Sequence, residues 1–117
     1  MAQKLRVNVK PTFSAPVVWR LAGDDGQTVE VTYSATFRRV TDEEAKQLQE
    51  RLTRRDLTDR ELLDRVLVGW DGLLDEQGLP FTFSAENRAA AQAEWPTFEA
   101  ALVFSYFKHQ DAAVVKN

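Results

Sequence analysis

Between Thr28 and Arg39 the chain alternates without a break. Val29, Val31, Tyr33, Ala35 and Phe37 fall on one side, and Glu30, Thr32, Ser34, Thr36 and Arg38 on the other. A period of two is the mark of a strand with one buried face. Just upstream, Val17, Trp19 and Leu21 repeat the same spacing, and "GDDG" at Gly23 to Gly26 supplies residues suited to a tight reversal, so the pair predicts an antiparallel hairpin. Leu5, Val7 and Val9 also alternate and predict a third strand, with Pro11 and Pro16 keeping it or its neighbour near an edge.

At Thr41 the period changes. "TDEE" from Thr41 and "TDRE" from Thr58 each place a threonine three residues before a glutamate, the reciprocal arrangement that satisfies orphan amides at a helix start. The first helix carries a narrow stripe of Ala45, Leu48 and Leu52 among charges, so it should lie on the surface with one edge buried. In the second, Leu62, Leu63, Val66, Leu67 and Trp70 follow helical spacing, and Leu57 is placed to staple onto Leu62 across the cap. Ser84 caps a third segment, with Glu86 favourably placed against its dipole. Trp95-Pro96 interrupts it, and Pro96 suits a first helical position for a fourth.

The expectation is therefore an α+β chain: a small antiparallel β front of two or three strands over residues 1–40, then about four helical segments over 41–109. These run from Thr41 to about Arg54, Thr58 to about Gly69, Ser84 to about Trp95 and Pro96 to about His109, with a frayed, unpatterned tail over 110–117. The core should draw on Val31, Tyr33 and Phe37 of the strand, Leu48, the Leu62 to Trp70 stripe, and Phe98, Leu102 and Tyr106. Val103, Phe104 and Phe107 crowd the flank of the last helix, so its apolar arc is either central core or partly an interface, which leaves a homo-oligomer open.

The 117 residues suffice for one domain that buries roughly 65% of its unfolded surface. Lys4, Arg6, Lys10, Arg20, Arg38 and Arg39 outweigh Asp24, Asp25 and Glu30, so residues 1–40 carry +3, and the rest carries −6 of the total −3. A weakly basic front on an acidic back lacks the basic stripe of a nucleic-acid surface. Absence of cysteine removes disulfides, thiolate nucleophiles and thiolate metal sites, and suits a reducing cytoplasm. The start has no unbroken apolar h-region, and no run approaches the ~20 apolar residues of a membrane span.

Candidate chemistry is sparse. The single histidine, His109, reads as a solvated residue at a helix end. Asp71, Asp75 and Glu76 lack the alternate oxygens and terminal glutamate of a calcium loop and read as turn formers. No glycine-rich phosphate loop, nucleophile elbow or zinc helix is present, so the expectation is binding without catalysis, metal or cofactor. Two groups remain as candidate contacts. Trp70, Phe81 and Phe83 bring aromatics into a loop-like stretch, either folding it back over its own cluster or docking a partner. Arg38, Arg39, Arg51, Arg54 and Arg55 are candidate polar contacts, or helix-end charges solvated by water.

The run Trp70-Asp71-Gly72, Asp75-Glu76-Gln77-Gly78, Leu79-Pro80-Phe81 and Ser84-Ala85-Glu86-Asn87, followed by Trp95-Pro96 and the aromatic helix to Phe107, resembles the tail assembly chaperones of long-tailed bacteriophages. Phe37-Arg38-Arg39 is similar to the end of the family's β front. Ala89 to Ala93 depart from it, with small residues where leucines are usual. The resemblance implies a protein of the infected or lysogenic bacterial cytoplasm, absent from the mature virion. It would bind the tape measure protein and help tail tube subunits gather, with Trp70, Phe81, Phe83, Phe104 and Phe107 as candidate client contacts. A longer frameshifted form often accompanies this family, and Val115-Lys116-Asn117 admit the slippery codons GTA-AAA-AAC. Two rival classes share these residues: a structural virion protein such as a head-tail connector or tail terminator, and a small nucleic-acid-binding regulator using the five arginines.

Overall fold

A computed structural model describes residues 10–115. The chain is α+β, as the periodicity predicts: β1 (Thr12–Ala22), β2 (Thr28–Arg38), α1 (Asp42–Thr53), α2 (Asp59–Val66), β3 (Leu67–Asp71), α3 (Ala85–Glu94) and α4 (Phe98–Val115). The sheet has the order β1-β2-β3 and is antiparallel throughout. In the hairpin Val17 sits opposite Tyr33 and Trp19 opposite Val31. That register puts Phe13, Ala15, Val17, Trp19, Tyr33, Ala35 and Phe37 on one buried face. Ser14, Thr32, Thr36 and the Arg20–Glu30 pair take the other. Gly26 closes the reversal at φ 82, a left-handed conformation that a side chain would strain.

Helix α4 lies across the buried face of the sheet and touches β1, α1, α2 and α3. Its Phe98 stacks with Tyr33 and meets Trp19 edge-on, and its Tyr106 packs between Phe13 and Phe37. Between them the Ser105 hydroxyl donates to the carbonyl of Pro16 at 2.7 Å. Both capping boxes form, Thr41 with Glu44 and Thr58 with Glu61, and Leu57 is buried beneath the second. Arg60 grips Glu99 with two nitrogens, at 3.1 and 3.2 Å, tying α2 to the start of α4.

Three boundaries differ from the sequence reading. Helix α2 stops at Val66 rather than continuing to Gly69, and Trp70 belongs to a strand. The physical reason is a bulge. The ladder pairs Phe37 with Leu67 but Thr36 with Gly69, leaving Val68 as the extra residue. In a regular strand, positions three apart face opposite ways; the extra residue rotates Leu67 and Trp70 onto the same buried side, and spacing by three mimics a helix. At the second boundary Pro96 lies in a turn, not at a first helical position, because Thr97 adopts φ 60 and α4 opens at Phe98. Lastly, α4 runs on to Val115, past His109, and Gln110 is buried with its amide nitrogen donating to the Val40 carbonyl at 2.9 Å. The third strand expected at Leu5 to Val9 lies outside the described residues, as do Lys116 and Asn117.

Both tyrosines of the chain stand in this core. Burial pushes the Tyr106 phenol up to about 12, with the charge of Glu44 adding to it, and burial raises Tyr33 as well. A phenol whose folded pKa exceeds its unfolded value favours the folded state below the unfolded value, about 10, and that contribution is lost as pH rises through the folded one. An absorbance titration at 295 nm should therefore show no tyrosinate near pH 10 in the folded protein, with ionisation and unfolding arriving together nearer pH 12. Ordinary titration near pH 10 with the fold intact would place the phenols in water.

Candidate functional site

The aromatic loop is held by its own main chain before any side chain stacks. After β3, Asp75 Oδ1 accepts from the amides of Gln77 and Leu79, both at 2.9 Å, and the Asp75 amide donates to Leu79 O. Asp75 is thus a turn former, as its spacing suggests. Leu74 and Pro80 pair as an isolated bridge, and the Phe81 amide donates to Leu73 O, so residues 73–81 form a miniature hairpin. Leu73 is buried at its base; Leu74 and Leu79 are exposed at its tip.

Trp70 anchors this loop. It is 8% exposed, and its indole Nε1 donates to the Phe81 carbonyl at 2.7 Å. Its ring stacks on Phe81 and meets Phe83 and Phe98 edge-on, with centroids 4.8 and 5.5 Å away for the last two. Phe81 in turn lies 4.9 Å from Trp95, which stacks 5.2 Å from Trp19. A second indole repeats the device: Trp19 Nε1 donates to the Pro96 carbonyl at 3.0 Å and lies 3.1 Å from the Thr97 hydroxyl. Of the two readings of the loop aromatics, the structure has Trp70 inside and Phe81 and Phe83 half-buried against it.

Phe104 and Phe107 do not join that cluster. From Phe98, at the loop end of α4, Phe107 is nine residues away, about 13 Å along the axis, and it packs on Tyr106. Phe104 points outward at 68% exposure with the Lys108 ammonium 5.8 Å from its ring centre. The five candidate aromatics therefore divide into a pinned loop cluster of Trp70, Phe81 and Phe83, a half-buried Phe107 on Tyr106 and an outward Phe104. Sequence reasoning did not single out Val29, Leu74 and Leu79 as exposed apolar residues. For the two leucines a signal existed, since each adjoins turn formers that hold the backbone at the surface.

Four of the five candidate arginines have side chains engaged within the chain. Arg38 Nε donates to Arg65 O, and Arg39 Nε donates to Lys10 O while its guanidinium lies 5.4 Å from the Phe13 ring centre. Arg51 and Arg54 both bind Asp56, at 3.1 and 3.2 Å. Arg55 takes φ 67 just beyond α1, its amide donating to Leu52 O. Elsewhere Arg88 Nη2 meets Asp64 Oδ1 at 2.8 Å, a charge contact without hydrogen-bond alignment that links α3 to α2. Ala91 is the one buried residue of α3, while Ala89, Ala90 and Ala93, where leucines are usual in the family, are exposed.

An open cavity of about 520 Å³ lies beside Lys10, Pro11, Arg39 and the start of α1. Its lining includes Thr41 and Glu44, whose hydroxyl and carboxylate are the pair that caps α1. Among the described residues no group of three or more histidines, aspartates or glutamates is placed to hold a metal ion, and no helix is long and apolar enough to cross a membrane. His109 Nδ1 lies 3.0 Å from the Ser105 carbonyl one turn back on its own helix.

Comparison with curated proteins and with solved structures found no match. The family model described as phage tail assembly chaperone matches residues 1–117, the whole chain. A β front, a pinned aromatic loop and a central apolar helix are thus the architecture of a chain that belongs to the phage tail assembly chaperone family.

Proposed function

We propose that the protein binds the tape measure protein in the cytoplasm of the infected or lysogenic bacterium, keeps it soluble while tail subunits gather, and leaves before the virion matures. Membership of the tail assembly chaperone family across the whole chain carries this reading. The physical requirement is a surface that accepts amphipathic helices. Outward Phe104, half-buried Phe107, Phe81 and Phe83, and exposed Leu74 and Leu79 give apolar contact area on a backbone that is already ordered, so little entropy is lost on contact. Nothing in the reading calls for turnover. A frameshifted longer form would add a second module, for tail tube protein, at high effective concentration.

Co-expression with the tape measure protein from the same genome is the test. The client should move from the insoluble to the soluble fraction in the presence of this chain and co-purify with it. Equal insolubility with and without it would end the reading.

A further inference from the structure

The buried face of the hairpin continues beyond the helix that covers it. Along β1 and β2 the inward pairs are Val17 with Tyr33, Trp19 with Val31, and Leu21 with Val29. All six are apolar or aromatic, yet burial fades along the series: Val17 is fully buried, Val31 and Leu21 are half-buried, and Val29 is 45% exposed. The cause is the extent of α4. Its Tyr106 lies against Phe13, Ser105 bonds Pro16, and its first residue, Phe98, reaches Trp19. Thr97 bonds back toward the Arg20 carbonyl at 3.4 Å, and there the helical layer ends. The strands go on for two further residue pairs to Ala22 and Thr28.

The open end is continuous with the loop cluster. Trp95, half-buried, stacks on Trp19 and touches Phe81, so an apolar band runs from Val29, Leu21 and Val31 over Trp95 to Phe81. Two exposed carboxylates adjoin it along the chain. Asp24 lies in the reversal at the end of the hairpin and Glu94 immediately precedes Trp95, both exposed, while Arg20 points to the opposite face of the sheet, where it pairs with Glu30.

We infer that this band docks an amphipathic helix whose apolar stripe is flanked by lysine or arginine, extending the helical layer over the end of the hairpin. A helix fits because a helix already covers the rest of this sheet face, and basic flanks fit because the exposed charges that adjoin the band in the chain without pairing across the sheet, Asp24 and Glu94, are carboxylates. The inference deepens the chaperone reading and rests on it for the source of the helix, a segment of the tape measure protein.

Two synthetic 18-residue helical peptides test it, sharing one leucine stripe and differing only in lysine or glutamate flanks. The lysine peptide should perturb the tryptophan fluorescence of the full chain and bind at least tenfold more tightly than the glutamate peptide, with affinity falling as salt rises. Val29→Glu should weaken it about tenfold. Should that variant lose its circular dichroism spectrum, Asp24→Lys with Glu94→Lys decides, since both side chains are exposed; the flank preference should then vanish or invert. Equal binding of the two peptides, or an unchanged preference in the charge-reversed variant, overturns the inference. So does a wild-type dimer that Val29→Glu dissociates without affecting peptide binding, which would give the band to a second copy of this chain. Peptide binding with the tape measure protein still insoluble would instead defeat the chaperone reading and leave the docking site standing.

Discussion

Phe98→Ala should cost about 3 to 5 kcal/mol in urea or thermal unfolding, the range for deleting a buried aromatic ring. Phe98 is 1% exposed and stands where the two halves of the fold meet. Its ring lies within 5.3 to 6.1 Å of those of Trp19, Tyr33, Trp70 and Trp95, which come from β1, β2, β3 and the turn before α4. No single neighbour can move to fill the space without abandoning the others, because each is fixed elsewhere: Trp19 and Trp70 through their indole hydrogen bonds, Tyr33 through the ladder. With total stability of about 5 to 15 kcal/mol for a chain of this size, such a loss takes about a fifth of it or more. A fall in melting temperature of only a few degrees would mean that the cluster relaxes freely and that Phe98 is not its centre.

The second large effect is expected from replacing Phe81 and Phe83 together by serine. If they served only as client contacts, the domain would keep its stability and lose binding alone. Their positions against Trp70, at 6.1 and 4.8 Å, lead to a different expectation. Removing two half-buried rings should destabilise the protein by about 2 to 4 kcal/mol in all. The two losses should not be additive, since both rings share one neighbour. The Phe81 carbonyl still accepts from Trp70, so the loop should stay tethered at that point and the fold should survive, with a red-shifted tryptophan emission as water reaches the indole. Unchanged stability and emission would show that the loop lies free of the core.

Much of the architecture could be read from local pattern, because its causes are local. The alternation from Val29 to Phe37 and the "GDDG" reversal specify a hairpin without reference to anything distant, and each threonine cap needs only a glutamate three residues on. Burial of Leu48, Leu62, Leu63, Val66, Phe98, Leu102 and Tyr106 followed from helical spacing, and the charge on the remaining faces followed with it. What the tertiary structure alone decided involves partners far away in the chain. Leu67 to Asp71 satisfies a helical spacing as well as a bulged strand; the open edge of β2, some thirty-five residues earlier, makes the strand preferable by supplying its hydrogen bonds. Whether loop aromatics are packed or free cannot be read from a sequence, and only the fold shows the Trp70 indole reaching Phe81 O with Phe81 and Phe83 half-buried beside it. For the five arginines that are candidate contacts, only the fold shows that Asp56, Arg65 O and Lys10 O accept from four of them. The exposed end of the hairpin has the same apolar pattern as its buried part, because a period of two records which face a residue occupies and carries no information on how far the covering helix extends.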